Sequence, residues 1–256
     1  MIPRLMLRLG FAVLISTIFA GSLTAQSAEV DEEPVVVWHN VTNWGLEGRV
    51  WTDQERMRWF DRFPAAAKND VTPQVWNLSR SSTGMVCRFR TDSPFIRLKF
   101  SLMSANLNGT NMSPMGASGF DLYARNDAGQ WRWVESNGPR SAEEDVMMVS
   151  GLADGEREYA LYLPLRNSPD NLEIGVAESA MFEGLAPREA KPIVFYGTSI
   201  NHGASASRAG MVHTAILGRW LDHPVVNLGF SGNGRMHAAV GEWLTKIDAA
   251  VYVIDC

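Results

Sequence analysis

Two short loops that follow apolar runs constrain the fold of this chain more than any other feature. Residues 197–200 (Gly-Thr-Ser-Ile) follow the run 192–196, and residues 227–234 (Asn-Leu-Gly-Phe-Ser-Gly-Asn-Gly) follow the run 224–226. Each pattern predicts a strand, a tight Gly/Ser loop and a helix. In an open parallel sheet such loops lie at the carboxyl edge, where ligands bind. The sequence thus predicts Ser199 beside unpaired backbone N–H groups, which is the minimum that acyl transfer needs.

The chain from residue 190 onward alternates strands with helices. Helices are predicted over about residues 208–221 and 237–246, and a further strand over residues 249–255. The later helix has apolar residues at i, i+3, i+4 and i+7, which indicates one buried face: Val240, Trp243, Leu244 and Ile247. The earlier helix is predicted to bury a stripe formed by Val212, Ile216 and Trp220. Strands alternating with helices are typical of a parallel α/β sheet.

The preceding segment, residues 29–183, is rich in short strand-like runs. Gly, Asn, Asp and Pro separate these runs, a pattern typical of an antiparallel sandwich or jelly roll. One helix is predicted over residues 53–60. The predicted strands are 35–38, 75–78, 85–90, 95–102, 120–124, 131–134, 158–163 and 172–176. The predicted fold class is therefore α+β, with an antiparallel β-sandwich followed by an α/β unit at residues 190–256.

The N-terminus has the pattern of a secretory signal peptide over residues 1–28. Arg4 and Arg8 precede a short apolar stretch, and small residues that suit cleavage follow it. We therefore expect a periplasmic or secreted protein with no stable membrane span after cleavage. A retained N-terminal anchor is the alternative.

The composition excludes nucleic acid as a partner but does not decide whether the two cysteines form a disulfide. The net charge of −5 provides no basic face for nucleic acid. The two cysteines, Cys87 and Cys256, have no metal-type spacing, and a disulfide between them stays open. No cofactor and no metal are expected. A dinucleotide site at residues 229–234 is disfavoured because the order of its glycines differs from G-x-G-x-x-G.

The two loops resemble the SGNH (GDSL-like) hydrolase superfamily of esterases and lipases. Residues 197–200 are similar to its first block, with Thr198 in place of the usual Asp, and Gly232 matches the glycine of its second block. A second resemblance is independent of the first. Residues 119–123 (Gly-Phe-Asp-Leu-Tyr) fit the Gly-x-Asp-Leu-Tyr signature of a β-sandwich domain that precedes one SGNH branch, and residues 205–210 are also similar to that branch.

The resemblance implies roles for particular residues. Ser199 would be the catalytic nucleophile, with its own N–H and that of Gly232 in the oxyanion hole. The α/β unit would be the first half of a flavodoxin-like, three-layer α/β/α domain. The third oxyanion donor, an Asn, and the catalytic Asp/His block would lie beyond Cys256, so the chain is expected to be truncated before them.

Four further residues are candidates near the loops. His202 is expected to line the substrate pocket, but its closeness in sequence to Ser199 makes it a poor general base. Asn233 would either line the pocket or form the turn. Arg208 would either hold the nucleophile loop and contact substrate or face solvent. Asn227 is expected to buttress the loop from the end of its strand.

The sequence therefore predicts an exported serine esterase for short-acyl esters such as acetyl esters. Export, a sandwich domain and many tryptophans favour a carbohydrate ester as substrate over a long-chain lipid. The tryptophans considered for sugar stacking are Trp38, Trp44, Trp51, Trp76, Trp131 and Trp133, although packing in the core explains most of them. The alternative function is an inactive carbohydrate-binding or scaffold protein on the same fold.

Overall fold

A computed structural model describes residues 34–256, so the predicted signal peptide lies outside the described residues. Two antiparallel sheets form the first part of the described chain. The first sheet has four strands in the order β1 (Val36–Asn40), β8 (Pro169–Ala177), β3 (Phe95–Leu102) and β6 (Glu143–Ser150). The second has five strands in the order β5 (Trp131–Asn137), β4 (Phe120–Arg125), β7 (Arg157–Tyr162), β2 (Val86–Thr91) and β9 (Phe182–Leu185).

The two sheets enclose an apolar core, as in a β-sandwich. Strand β3 shows the alternation that such packing requires, because Ile96, Leu98 and Phe100 are buried and Lys99 between them is exposed. The core continues through Phe89 and Phe120 of the second sheet. This part of the predicted fold class is confirmed.

A three-stranded parallel sheet forms the second part of the chain. Its order is β11 (Val225–Gly229), β10 (Ile193–Gly197) and β12 (Val251–Asp255). Strand β10 is buried over most of its length, as expected of a parallel strand that is covered on both faces. Helices α3 (His213–Trp220) and α4 (Ala238–Leu244) connect the strands. The predicted α/β unit is confirmed, and so is the buried stripe at residues 240–247.

Residues 53–78 differ from the sequence prediction. Residues 75–78, predicted as a strand, lie within helix α1 (Pro73–Ser79), and residues 53–60 form turns and bends instead of a helix. The reason lies at the start of α1. The Thr72 hydroxyl accepts a hydrogen bond from the Val75 N–H at 3.3 Å. Pro73 occupies the first turn, where its missing N–H costs nothing.

This segment also packs on an unexpected partner. Trp51, Phe63 and Val75 lie in one cluster with residues of the parallel sheet and of α4, among them Phe230 and Trp243. The ring centroids of Trp51 and Trp243 are 5.6 Å apart in an edge-on arrangement, a favoured geometry for aromatic pairs. Residues assigned by sequence to the sandwich therefore cover one face of the parallel sheet, and residues 34–256 form a single compact unit.

The predicted buried stripe of α3 is wrong at its end. Val212 is buried, but Trp220 is 79% exposed. The buried residues of α3 are the small Thr214, whose hydroxyl accepts from the Asn227 amide of β11, and Ala215, which lies in one cluster with Tyr162 of the sandwich. Small residues thus face both neighbours of the helix, and Trp220 at its end lies in solvent at the rim of the space between α3 and the sandwich.

Candidate active site

Ser199 lies two residues after the end of β10, in a tight turn. The Ala204 N–H donates to the Ser199 carbonyl at 2.9 Å, which closes the turn. The serine is half-buried. Neither its hydroxyl nor its N–H has a hydrogen-bond partner among residues 34–256, so both groups can contact a substrate.

The loop after β11 joins the Ser199 loop at the same edge of the sheet. Gly197 and Gly229 are register partners, and the Phe230 N–H donates to the Gly197 carbonyl at 2.8 Å. A Cβ on Gly234 would collide with the Gly197 carbonyl and would lie 2.7 Å from the Thr198 nitrogen. Only glycine permits this approach of the two backbones.

Gly232 presents a free amide on this second loop. It adopts a left-handed conformation (φ +69°), is exposed, and has open space where a Cβ would lie. Its N–H makes no hydrogen bond within the described part of the chain. An unbonded amide on an exposed glycine is a suitable donor to an anionic oxygen.

Asn227 supports both loops from inside the sheet. Its amide donates to the Asn201 carbonyl at 2.6 Å and to the Thr214 hydroxyl at 3.0 Å, and its Oδ1 accepts from the Gly229 N–H at 2.9 Å. The residue is 1% exposed. The buttressing role that the sequence predicts for Asn227 is therefore confirmed.

His202 is placed differently from the expectation that it lines the pocket. Its side chain is 1% exposed and lies beneath the two loops. Arg166 donates to its Nδ1 at 2.7 Å, and its Nε2 lies 2.9 Å from the Ser81 hydroxyl. An arginine can only donate, and the Ser231 N–H also donates to Nδ1 at 3.3 Å, so Nδ1 is the acceptor. Ser81 donates its own hydroxyl to the Leu78 carbonyl, so Nε2–H donates to Ser81, and Arg62, at 3.5 Å from Nε2, is a neighbour without a hydrogen bond to the ring. With both ring nitrogens engaged, His202 holds the loops in place and is not the base for Ser199.

Two arginines of the segment that the sequence assigns to the sandwich, Arg62 and Arg166, lie beside His202. The Arg166 guanidinium also donates to the Ser231 hydroxyl at 2.8 Å, so it links the loop of His202 to that of Gly232. Arg62 is 2% exposed and donates to the carbonyls of Asn227 and Gly229, each at 2.9 Å. Burial and the nearby Arg166 lower the pKa of Arg62 to about 9.

Burial lowers the pKa of His202 well below its ordinary value of 6.5, and the charges of Arg62 and Arg166 add to this effect. The imidazole is therefore neutral in the folded protein. The unfolded chain takes up a proton below its ordinary pKa that the folded chain excludes, so the free energy of unfolding decreases as the pH falls. The slope attributable to one such group is about 1.4 kcal/mol per pH unit.

We expect the His202→Gln variant to lack the part of the pH dependence of the unfolding free energy that His202 contributes. The free energy of unfolding is measured by urea denaturation at pH 5, 6, 7 and 8 for both proteins. His237→Gln, which changes a partly exposed imidazole, is the control and should keep the slope of the wild type. Identical slopes for His202→Gln and the wild type would contradict the assignment of a buried neutral imidazole.

Arg208 also differs from its expected place, because it contacts the sandwich and not the nucleophile loop. Its Nε lies 3.2 Å from Oδ2 of Asp121, and the same oxygen accepts from the Gly210 N–H at 2.8 Å. Asp121 and Tyr123 belong to the Gly-Phe-Asp-Leu-Tyr stretch. A Cβ on Gly210 would lie 2.7 Å from the Asp121 carboxylate and would collide with the Tyr123 ring. This stretch thus anchors residues 208–210 to the sandwich.

Asn233 forms part of the turn after β11. Its N–H donates to the Phe230 carbonyl at 2.8 Å, and its side chain donates to the Ser231 carbonyl at 3.1 Å. The residue remains partly exposed next to Gly232. The turn-forming role is thus observed, and contact between Asn233 and a substrate stays a prediction.

Arg62, Arg166 and Ser81 hold the two loops from below, and the sequence did not predict this role. All three lie in the segment assigned to the sandwich, and no local pattern marks them. Their role arises because residues 62 and 81 precede and follow α1, which brings them to the parallel sheet.

Metal-type clusters and membrane spans are absent from the described part of the chain. Residues 34–256 contain no group of three or more His, Cys, Asp and Glu side chains that could hold a metal ion. Within that range no helix is long and apolar enough to cross a membrane. Cys87 is buried and Cys256 is exposed, and both are free thiols. Burial raises the pKa of the Cys87 thiol, which keeps it unreactive.

An accessible serine and a free glycine amide, on neighbouring loops at the carboxyl edge of a parallel sheet, define the class of open α/β proteins that bind ligands at the ends of their strands. Family models agree with this class. The model described as "GxDLY: N-terminus of Esterase_SGNH_hydro-type" matches residues 36–182, and that of the GDSL-like Lipase/Acylhydrolase family matches residues 190–256. The chain belongs to the SGNH, GDSL-like lipase/acylhydrolase family and carries its N-terminal GxDLY domain.

Two solved structures illustrate the similarity. A GDSL-like protein from Bacteroides ovatus ATCC 8483 is 34% identical, with a TM-score of 0.81 over 87% of this chain and 64% of its own. The salicylyl-acyltransferase SsfX3 from a tetracycline biosynthetic pathway is 18% identical, with a TM-score of 0.62 over 87% of this chain and 59% of its own. The chain thus spans less than two thirds of the length of either relative. No curated protein sequence matches it.

Proposed function

We propose that this protein is an exported serine esterase in which Ser199 is the nucleophile. The observation that carries the proposal is the pairing of two loops at one edge of the parallel sheet. The Ser199 hydroxyl is unbonded, the Gly232 amide is free, and the bond from Phe230 to Gly197 holds the loops together at 2.8 Å. This arrangement provides a nucleophile and oxyanion donors in a preformed site.

The reaction follows from these groups. The Ser199 Oγ attacks the ester carbonyl carbon and loses its proton to a general base, and the carbonyl oxygen becomes an oxyanion. The N–H groups of Ser199 and Gly232 donate to that oxyanion. The alcohol leaves with a proton, and water then hydrolyses the acyl-serine ester to release the acid. His202 is unsuited as the base because its Nδ1 accepts from Arg166 and its Nε2–H donates to Ser81. The base is therefore another group, which the resemblance assigns to an Asp/His block.

We extend the proposal to the substrate class. Short acyl groups, acetyl above all, carried by a carbohydrate alcohol are the proposed esters. The predicted export and the sandwich support this choice. Trp133 and Trp220 add to it, because they are 49% and 79% exposed. Exposed indole rings offer apolar faces to a sugar ring.

A serine-directed fluorophosphonate tests the nucleophile in the full-length natural protein. The expected result is one labelled peptide that contains Ser199, and no label in Ser199→Ala. Ser207→Ala changes an exposed serine outside the two loops and serves as the matched control, which should label like the wild type. Labelling that persists in Ser199→Ala would assign the nucleophile elsewhere.

Hydrolysis assays separate the finer proposal from its alternative. We expect faster turnover of p-nitrophenyl acetate than of p-nitrophenyl decanoate, and release of acetate from acetylated xylan. A folded full-length protein that neither labels nor hydrolyses these esters would support the inactive carbohydrate-binding or scaffold function. Faster turnover of the decanoate would overturn the short-acyl proposal alone.

A further inference from the structure

A cavity of about 520 Å³ lies between strands β4 and β5 of the sandwich and helix α3. Ligand sites for small molecules commonly have volumes of this size. Tyr123 and Trp131 line it from the sandwich, and Arg219 and Trp220 line it from α3. None of its lining residues belongs to the loops of Ser199 and Gly232. We call this cavity the α3 groove.

The α3 groove has an excess of positive charge. Four arginines line it, namely Arg125, Arg132, Arg208 and Arg219, against one carboxylate, that of Asp222. Arg125 pairs with Asp222, and Arg208 faces Asp121 behind the groove. Arg132 and Arg219 have no carboxylate partner in the described part of the chain. Arg219 donates one hydrogen bond to the Gly210 carbonyl at 2.7 Å, and Arg132 donates one to the Gln130 side chain at 2.6 Å. Each guanidinium carries five N–H donors, so each keeps further donors for an anion.

Three polar groups of the groove's lining residues are buried without a hydrogen-bond partner among residues 34–256. They are the Tyr123 hydroxyl, in a residue that is 4% exposed, Nε of Arg208, which faces Asp121, and Nη1 of Arg219. The Arg219 guanidinium lies 3.9 Å from the centre of the Tyr123 ring, so the two groups are adjacent. Buried donors normally have partners, because an unpaired one is costly. An acceptor on a ligand in the groove would supply the missing partner.

The groove also has an apolar side. Trp220 is 79% exposed at the end of α3, and Trp131 lines the opposite wall. Arg125 covers one face of the Trp131 ring, at 4.3 Å from its centre. Trp220 has no such cover from a described cation, so its face is the one available for a ring.

We propose that the α3 groove binds a saccharide that carries a carboxylate, such as a hexuronate unit. The carboxylate accepts hydrogen bonds from Arg132 and Arg219, which match its planar geometry. Its ring lies against the face of Trp220. This binding site is separate from Ser199 and does not depend on the esterase proposal.

Isothermal titration with the full-length protein tests the proposal, using digalacturonate, its neutral analogue galactobiose, and sulfate. We expect digalacturonate to bind at least about tenfold more tightly than galactobiose, since charged hydrogen bonds contribute on this scale. Arg132→Gln and Trp220→Ala should each weaken digalacturonate binding about tenfold. Arg140→Gln removes an equal charge from an exposed site on another loop. It should leave the affinity within about twofold, as for a distant charge.

Each other outcome overturns a defined part of the proposal. Equal affinity for digalacturonate and galactobiose would show that the arginines do not bind the carboxylate. Sulfate that binds as tightly as digalacturonate, with Trp220→Ala unchanged, would show a site for a simple anion and not for a sugar. No binding by a folded wild-type protein would reject the site. Both variants change exposed side chains, so circular dichroism should confirm their fold.

Discussion

Replacement of Ser199 by alanine is expected to lower kcat/KM for p-nitrophenyl acetate by about a thousandfold or more, as in other serine hydrolases. The hydroxyl is the only group that can form the acyl intermediate in the proposed mechanism. Since it makes no hydrogen bond within residues 34–256, its removal should leave the fold unchanged. The rate is measured with the full-length natural protein, and the urea midpoint is compared with that of the wild type.

Two companion variants sharpen this test. The backbone of Gly232 is left-handed, with φ at 69°. Gly232→Ala should therefore lower kcat more than it raises KM, because this conformation disfavours a side chain and the N–H donor would tilt. Ser207→Ala should retain the full rate. Normal hydrolysis by Ser199→Ala with an unchanged circular dichroism spectrum would end the serine-esterase proposal.

The Asp121→Ala variant is expected to lose about 2–4 kcal/mol of unfolding free energy, because a buried donor that is left unpaired costs about 1–3 kcal/mol. Asp121 is fully buried and accepts hydrogen bonds from the Gly210 N–H at 2.8 Å and the Trp133 indole at 3.1 Å. Burial raises the pKa of its carboxyl, and the bond from Gly210 and the charge of Arg208 offset this only in part. Alanine would leave these donors unpaired.

Urea denaturation measures this loss. The control is Asp145→Ala, since Asp145 is 46% exposed in its side chain and pairs with Arg97 at the surface. Exposed pairs of this kind contribute about 1 kcal/mol or less. Asp121→Asn keeps the size of the side chain and one acceptor oxygen, so it should fall between the two. Equal losses of unfolding free energy for Asp121→Ala and Asp145→Ala would show that the Asp121 contacts with residues 208–210 do not stabilise the fold.

Local patterns in the sequence determined the strands and the loops of the candidate site. Strand β10 and strand β11 are short apolar runs that end at glycines, and parallel strands align their carboxyl ends by necessity. Ser199 and Gly232 therefore come to one edge of the sheet without further information. The buried face of α4 was also predictable from local sequence, because its apolar residues recur at the period of a helix.

The α1 segment was misjudged because its apolar residues suit a strand or a helix equally. Residues 75–78 alone favour neither, and the helix is decided by Thr72 and Pro73, which cap it. Its packing against Trp243 was not visible either, because a domain boundary drawn from composition places the segment with the sandwich.

Only the tertiary structure decided what supports the site. His202, Arg62 and Arg166 are separated by up to 140 residues in sequence, and their roles depend on which backbone carbonyls and hydroxyls surround them after folding. A charged side chain has no periodic signature, and its hydrogen-bond partners are set by long-range contacts. The exposed position of Trp220 has the same origin, because the packing of α3 between β11 and the sandwich buries Thr214 and Ala215 and leaves Trp220 in solvent. Local periodicity thus specifies elements and their ends, whereas the pairing of buried polar groups is specified only by the packing of distant segments.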